Sequence, residues 1–346
     1  MSRKRRGFAD AIGHALLLGL CASILTSCSH YNGLRDYHGL PRHRKGAVPC
    51  TSFPNKFIEP HRLGKHHYHY SLDERSGIVY TTKAGHVDIA HLRKSADWTA
   101  YLAGMCLENI LAEKRQWRFS LTEPTRYYVT LDYPADWASV ENRDEIAEEV
   151  AIHLGEYLAY NGTVWHEIVT WFGYKSSRVV PEFASAFSWE DNFSNLLGTT
   201  LAAAALRDPA HSYDEAMTLL LNDRLESLDV QPMKVAQQIA KDANGKWYIT
   251  RFPIFMYVIQ RNLDIGEDGS VQSLTNEGEG IAIPIPGKKW QDHGFKMTLE
   301  INPKGFQSRR IRKLVAKDRI TPEGDFTAIL DFIEQDAERR GYEVMR

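Results

Sequence analysis

Two short stretches concentrate imidazole and carboxylate side chains where the surrounding pattern is apolar. The first is Gly85-His86-Val87-Asp88-Ile89-Ala90-His91, followed by Asp97-Trp98. With helical geometry from Val87, Asp88 and His91 stand three apart on one face, and His86 lies at the helix mouth. Imidazole and carboxylate together are what zinc and similar divalent ions take. The plainer alternative is that Asp88 caps the helix and His91 is a core histidine with a satisfied ring.

The second stretch is Trp165-His166-Glu167-Ile168-Val169-Thr170-Trp171. It invites comparison with HExxH, in which two histidines four apart grip a zinc ion and the glutamate acts as general base. Thr170 occupies the second histidine position, so that reading fails on its own terms. His166 could still serve if its co-ligands came from distant segments; otherwise Trp165 and Trp171 are packing anchors of an interfacial helix. Between the two stretches run Glu149, His153, Glu156 and Tyr160, spaced 4, 3 and 4 along one helix. Such a stripe can ligate a metal between helices or simply face solvent. A loop at Asn161-Gly162 is expected to turn this helix back, so that His153 and His166 approach. Glu182 and the run Trp189-Glu190-Asp191 add carboxylates that could complete a site.

Other chemistries find little purchase. There is no GxSxG elbow, no GxxxxGK[ST] loop and no GxGxxG after a strand. A thiol mechanism would need Cys50, with His86 or His91 as base and Asp88 as orienter.

The elements that must carry these residues alternate in kind. Gly77–Thr82 is β-rich, and Val87 to Lys114 has helical periodicity. Trp117–Leu121 and Tyr127–Asp132 are expected as strands about a Thr-Glu-Pro turn. A helix-rich stretch follows: Asp144–Tyr160, Gly162–Phe172, and helices opened by the capping signatures Ser188–Asp191 and Ser212–Glu215. Pro232 precedes a helix over Met233–Asp242. Strand-like runs return at Lys246–Ile249, Phe255–Ile259, Gly280–Ile285 and Lys296–Ile301, before an amphipathic helix over Asp325–Arg340. The expected class is α+β: a helix-rich central part with small antiparallel β elements at its flanks.

The near-zero net charge, 42 basic against 44 acidic residues, is a sum of unlike parts and gives no reason to expect a nucleic-acid partner. Arg3, Lys4, Arg5 and Arg6 precede an apolar run from Ala11 to Leu25, the marks of a secretory signal. Leu25-Thr26-Ser27-Cys28 resembles the lipobox of bacterial lipoproteins. The resemblance implies cleavage before Cys28, acylation of that residue and a membrane anchor. Ser29 after the cysteine favours the outer membrane, with the protein facing the periplasm. The expected organisation is a signal over 1–27, a lipidated basic stem over 28–70 and one α+β body over 71–346. The stem carries seven of the 14 histidines and seven basic residues against Asp36 and Glu59, while the body carries 31 basic against 41 acidic. His66–Tyr70 (HHYHY) reads as a short exposed basic strand, or as a metal-binding tract. Cys50 and Cys106 could pair in a compartment that permits disulfides, or Cys106 could be a buried thiol.

The runs GIVYTTKAGHVDIAHLRKSADWT (77–99), WHEIVTWFGYKS (165–176) and PEFASAFSWEDNFSNLLGT (181–199) resemble the bacterial family filed as domain of unknown function 4056. The resemblance implies an exported, often lipid-anchored protein and carries no established activity with it. The leading expectation is a metal-dependent hydrolase acting on an envelope polymer or lipid. In it His86, Asp88, His91, His153 and His166 are candidate ligands of a divalent ion such as zinc, and Glu167 is the base. One rival is a non-catalytic envelope binding or scaffold lipoprotein that holds its partner with exposed Trp137, Trp189 and Trp290. The other is a thiol hydrolase or acyltransferase acting through Cys50.

Overall fold

Two long helices that bury nearly their whole circumference set the frame. In the computed structural model, which describes residues 34, 44, 57–68, 71, 73–175, 183, 185–251 and 255–346, the first is α1 (Ile89–Leu111). The second, α2, runs unbroken over Arg143–Trp171. Cys28 and Cys50 lie outside the described residues, as do Pro181 and Glu182.

The continuity of α2 corrects the expected turn at Asn161-Gly162. Asn161 does not cap or break the helix; its Nδ2 donates to Tyr157 O one turn back at 2.9 Å. Gly162 is there for space: a Cβ on it would stand 2.7 Å from Leu121 Cδ1, with the Trp98 ring next to it. Gly in a helix interior costs about 1 kcal/mol against Ala, less than prising apart a fully buried contact. One straight helix puts His153 and His166 roughly 20 Å apart and on opposite faces, at about 1.5 Å and 100° per residue. They cannot meet.

Helix α3 (Asp191–Leu206) packs on α1, and α4 (Tyr213–Ser227) follows, opened by the expected capping box of Ser212 and Glu215. Helix α5 (Met233–Ala243) begins directly after Pro232. Short β elements surround these helices. Strands β1 (Ile78–Thr81) and β2 (Gly85–Asp88) form an antiparallel hairpin, which β5 (Val230–Gln231) joins along β1. Strands β3 (Gln116–Phe119) and β4 (Thr125–Asp132) pair as expected, and β11 (Lys296–Pro303) covers the other edge of β4 over eight residue pairs. Alternation along β4 buries Tyr127, Val129 and Leu131. Two more antiparallel pairs are β6 (Tyr248–Arg251) with β7 (Phe255–Val258), and β9 (Ser270–Thr275) with β10 (Gly278–Pro284). Strand β8 (Gln260–Asn262) pairs in parallel with β12 (Glu343–Met345), near the C-terminus. Helices α6 (Ser308–Val315) and α7 (Pro322–Arg339) pack on each other between β11 and β12. The architecture is α+β, with a helical centre and flanking two- and three-stranded sheets.

Several expectations about exposure change. His66 is fully buried: its Nε2 meets Asp97 Oδ1 at 2.9 Å and its N–H donates to Thr218 Oγ1. The expected exposed strand over HHYHY is therefore not formed by residues 66–68, because Asp97 on α1 draws the first ring into the core. Arg44, within the expected stem, is buried as well, with Nε 2.7 Å from Asp97 Oδ2 and a bidentate grip on Glu74. Trp137, Trp189 and Trp290 are all buried, not exposed. Cys106 is a buried free thiol, its proton held by burial in an apolar setting.

Candidate metal centre

Where β2 runs into α1, the last strand residue, Asp88, does two jobs. Its extended backbone and short carboxylate make it the N-cap of α1: Oδ1 accepts from Ala90 N–H at 2.7 Å and from His91 N–H at 3.4 Å. Its other oxygen, Oδ2, lies 2.8 Å from His91 Nδ1. The cap and the ion pair thus fix the imidazole, which stands one turn into the helix on the same face.

A third group arrives from α3. Asp191, its first residue, places Oδ1 3.5 Å from His91 Nδ1. Ser194, one turn further, accepts from Asp88 N–H at 2.9 Å and ties the two helix starts together. Donor atoms of Asp88, His91 and Asp191 all lie within 4.8 Å of one another. Bonds of about 2.0–2.2 Å to a tetrahedral ion would place its donors about 3.3–3.6 Å apart, so the cluster needs only small adjustments to close on a cation. The set is one nitrogen and two carboxylates from two helix starts, with about a quarter of the His91 side chain exposed. That is three protein donors and a side facing solvent, the pattern of a catalytic rather than a structural zinc site.

Two more carboxylates stand behind the trio. Glu167 on α2 is buried, with Oε2 accepting from Phe187 N–H at 2.9 Å. Glu190 is buried too, and among the described residues its Oε2 has no hydrogen-bond partner. Burial first, then the negative charge of Asp191, pushes both carboxyl groups above their ordinary range; for Glu190 the charge of Asp88 adds to this. His91 responds in the opposite sense. Burial alone would lower it, but Asp191 and Asp88, against an opposing Lys94, raise it to about 9. Its Nδ1 proton then occupies the place between carboxylates that a cation would take.

The loop before α3 is held from two sides. Phe187 adopts a left-handed backbone, φ 57°, uncommon for an aromatic residue. Its N–H goes to Glu167 and the next, of Ser188, goes to Asp191 Oδ2 at 3.2 Å. From the other side β8 grips the loop: Arg261 Nη1 donates to Ala186 O, Asn262 N–H to Phe187 O, and Asn262 Nδ2 to Trp189 O. Two carboxylates and one strand over-determine the strained turn that presents Asp191.

Of the residues expected at the site, Asp88 and His91 come together and Glu167 stands beside them. His86, His153 and His166 do not join. His86 sits in an aromatic box of Phe57, Tyr80, Trp189 and Trp247, with ring centroids 5.0–6.4 Å away. Burial lowers its pKa to about 4 and keeps it neutral. His153 pairs with Glu149 at 2.8 Å beside Arg207, on the far stretch of α2. His166 pairs with Glu123 and lies edge-on to Trp98 and Tyr174. Asp191 is the donor that the residue pattern brought into view only as a spare carboxylate. The signal was present: an acidic pair at a helix start, where carboxylates are favoured.

No curated protein and no solved structure matches the chain. One family model does, over residues 44–274, a span that takes in the whole cluster. By that match the chain belongs to the family described as protein of unknown function (DUF4056).

Proposed function

We propose that Asp88, His91 and Asp191 hold a divalent transition metal, with zinc the first choice, and that the protein is a metal-dependent hydrolase. The observation that carries the reading is the convergence of three donors within 4.8 Å, open to solvent on one side. A bound divalent ion would supply Lewis-acid polarisation of the scissile group and acidify a water. The chain's own residues supply the rest. Asp88 and Asp191 fix the donor geometry through their cap and loop hydrogen bonds. Glu167, anchored through one oxygen, would accept a proton from the attacking water, and the buried carboxyl of Glu190, held above its ordinary range, stands beside Asp191 and Asp88. The sequence at Leu25–Cys28 supports an envelope location and an acyl anchor at Cys28, and Ser29 supports outer-membrane sorting, so an envelope polymer or lipid is the substrate class proposed.

The test is metal content and thermal shift of the full-length protein. We expect about one equivalent of transition metal per chain and a rise in melting temperature on zinc or manganese addition. Asp191→Asn and His91→Ala should each weaken binding on the order of a hundredfold, while His153→Ala leaves it unchanged. Glu167→Gln should keep the ion and lose hydrolysis. Protein that takes up no ion and gains no stability from one would end the proposal.

A further inference from the structure

The net negative body carries one strongly basic face. Residues 304–319 hold Lys304, Arg309, Arg310, Arg312, Lys313, Lys317 and Arg319 against the lone acid Asp318. The segment comprises α6 and its two flanks. Ser308 and Ile311 seat α6 against the core, Arg312 and Val315 are half-buried, and Arg309, Arg310, Lys313 and Leu314 face outward. Arg309 and Lys313 are exposed, four apart on one face. Among the described residues no ion pair engages Lys304, Arg309, Arg312 or Lys313 within 4.0 Å.

The neighbouring helix extends the face. Arg310 from α6 and Arg339 and Arg340 at the end of α7 all converge on Asp336, at 3.7, 3.3 and 2.8 Å. Three guanidiniums on one carboxylate leave an excess of positive charge that no other ion pair among the described residues offsets. Leu314, one of few large apolar side chains exposed in the described residues, stands among these cations at 38% exposure.

We infer that this face docks on an anionic lipid bilayer. Charge complementarity carries the argument: a cluster of four to eight basic residues at a surface is the footprint that acidic headgroups recognise. It is concentrated on a body whose remaining charge would be repelled by the same membrane. Lysine and arginine stems tolerate the interface, and the exposed leucine can enter the headgroup layer beside them. The apolar side of α6 is committed to the core, so the contact is electrostatic and peripheral. No helix among the described residues is long and apolar enough to cross a membrane. The inference does not depend on the metal centre.

Flotation of the full-length chain with vesicles of phosphatidylcholine alone, and of phosphatidylcholine mixed with phosphatidylglycerol, tests it. The N-terminal apolar run and basic stem contribute in both proteins compared, so the readout is the difference made by Arg309→Glu/Arg312→Glu/Lys313→Glu. Each basic residue at such a surface contributes about fivefold in affinity, so removing three costs about a hundredfold and the triple reversal should lose at least that on the acidic vesicles. On neutral vesicles it should lose nothing. The wild-type excess on acidic vesicles should also fall as salt is raised. Lys234→Glu/Lys241→Glu on α5 should leave it in place. All substituted side chains lie outside the core, and an unchanged melting temperature verifies the fold. Equal loss in the α5 variant, or acidic-vesicle binding untouched by the triple reversal, would overturn the inference. So would capture of a soluble polyanion with no preference for acidic over neutral vesicles.

Discussion

The most informative single residue outside the candidate metal centre is Asp97, on the buried face of α1. A lone carboxylate there would cost several kcal/mol, yet it is fully buried with Arg44 Nε at 2.7 Å and His66 Nε2 at 2.9 Å. Burial would raise its pKa, but the charge of Arg44 and then of His66 outweighs that and brings it down to about 2 from 3.8. Glu74, gripped by the same Arg44, is also held low. The groups facing the carboxylate are Arg44, His66, Glu74, Arg93 and Asp214, drawn from three parts of the chain. A carboxylate whose folded pKa lies below its unfolded value stabilises the fold above the unfolded pKa and stops doing so as pH falls through the folded one. For Asp97 the window is from about pH 4 down to about 2, and the contribution lost is roughly 2 kcal/mol. Acid titration of the melting temperature should therefore fall steeply in that window. In Asp97→Asn the acid slope should be shallower, and the protein should be about 3–5 kcal/mol less stable at neutral pH, with Arg44 left buried and underpaired. A variant as stable as wild type would mean that Arg44 is not held inside by this carboxylate.

At the scale of elements, the site exists because two helix starts are forced together, and small residues do the forcing. Gly198 on α3 faces α1 so closely that an added Cβ would stand 2.0 Å from Leu92 O, a backbone atom that cannot swing away. Leu92 follows His91 directly, and Gly198 lies two turns after Asp191. Gly198→Ala should therefore push the helices apart where they carry the donors. We expect a loss of about 1–3 kcal/mol or more together with weaker metal uptake. Calorimetry with and without metal separates the two effects. Loss of stability with full metal affinity would show that the helix starts are positioned by the Asp88–Ser194 contact alone. This contact also explains what sequence periodicity could and could not reveal. The period-3.6 pattern located α1 and α7 to within a few residues, and local capping chemistry located α4. It could not show that α2 continues through Gly162, since the reason lies in Trp98 and Leu121, far away in sequence. Nor could it show β8 and β12, three-residue strands with no apolar alternation, whose worth is the hydrogen bonds they give the Phe187 turn. Asp88 and His91 were legible because both sit on one local turn; Asp191 was not, because its position depends on how α3 meets α1.

On the scale of the whole molecule, the family match and the folding unit do not coincide. The match ends at residue 274, but the core does not. Strand β4 is the centre of its sheet and pairs with β11 along its full length. Ile301 of β11 is fully buried, and α7 contributes Phe326, Ile329, Leu330 and Ile333. Phe326 stacks on Trp165, one residue from His166 on α2, and Asp336 accepts from Trp171 Nε1. Strand β12 closes the outer side of β8, the strand that clamps the Asp191 loop, and Arg261 of β8 lies under the Tyr342 ring at 4.5 Å. Each large apolar side chain returned to water costs about 1.5–3 kcal/mol. Five or six of them amount to about 8–18 kcal/mol, as much as the roughly 5–15 kcal/mol that a domain has in hand. A chain ending at Leu274 should therefore show no cooperative melting transition and bind no metal stoichiometrically, although it retains Asp88, His91 and Asp191. Amide exchange reports the cause, because Thr125–Asp132 should lose its protection in the truncated chain and keep it in the whole one. If the truncated chain melted cooperatively and took up metal, residues 275–346 would be an appendage, and the clamp on the Phe187 turn would have to reside in β8 alone.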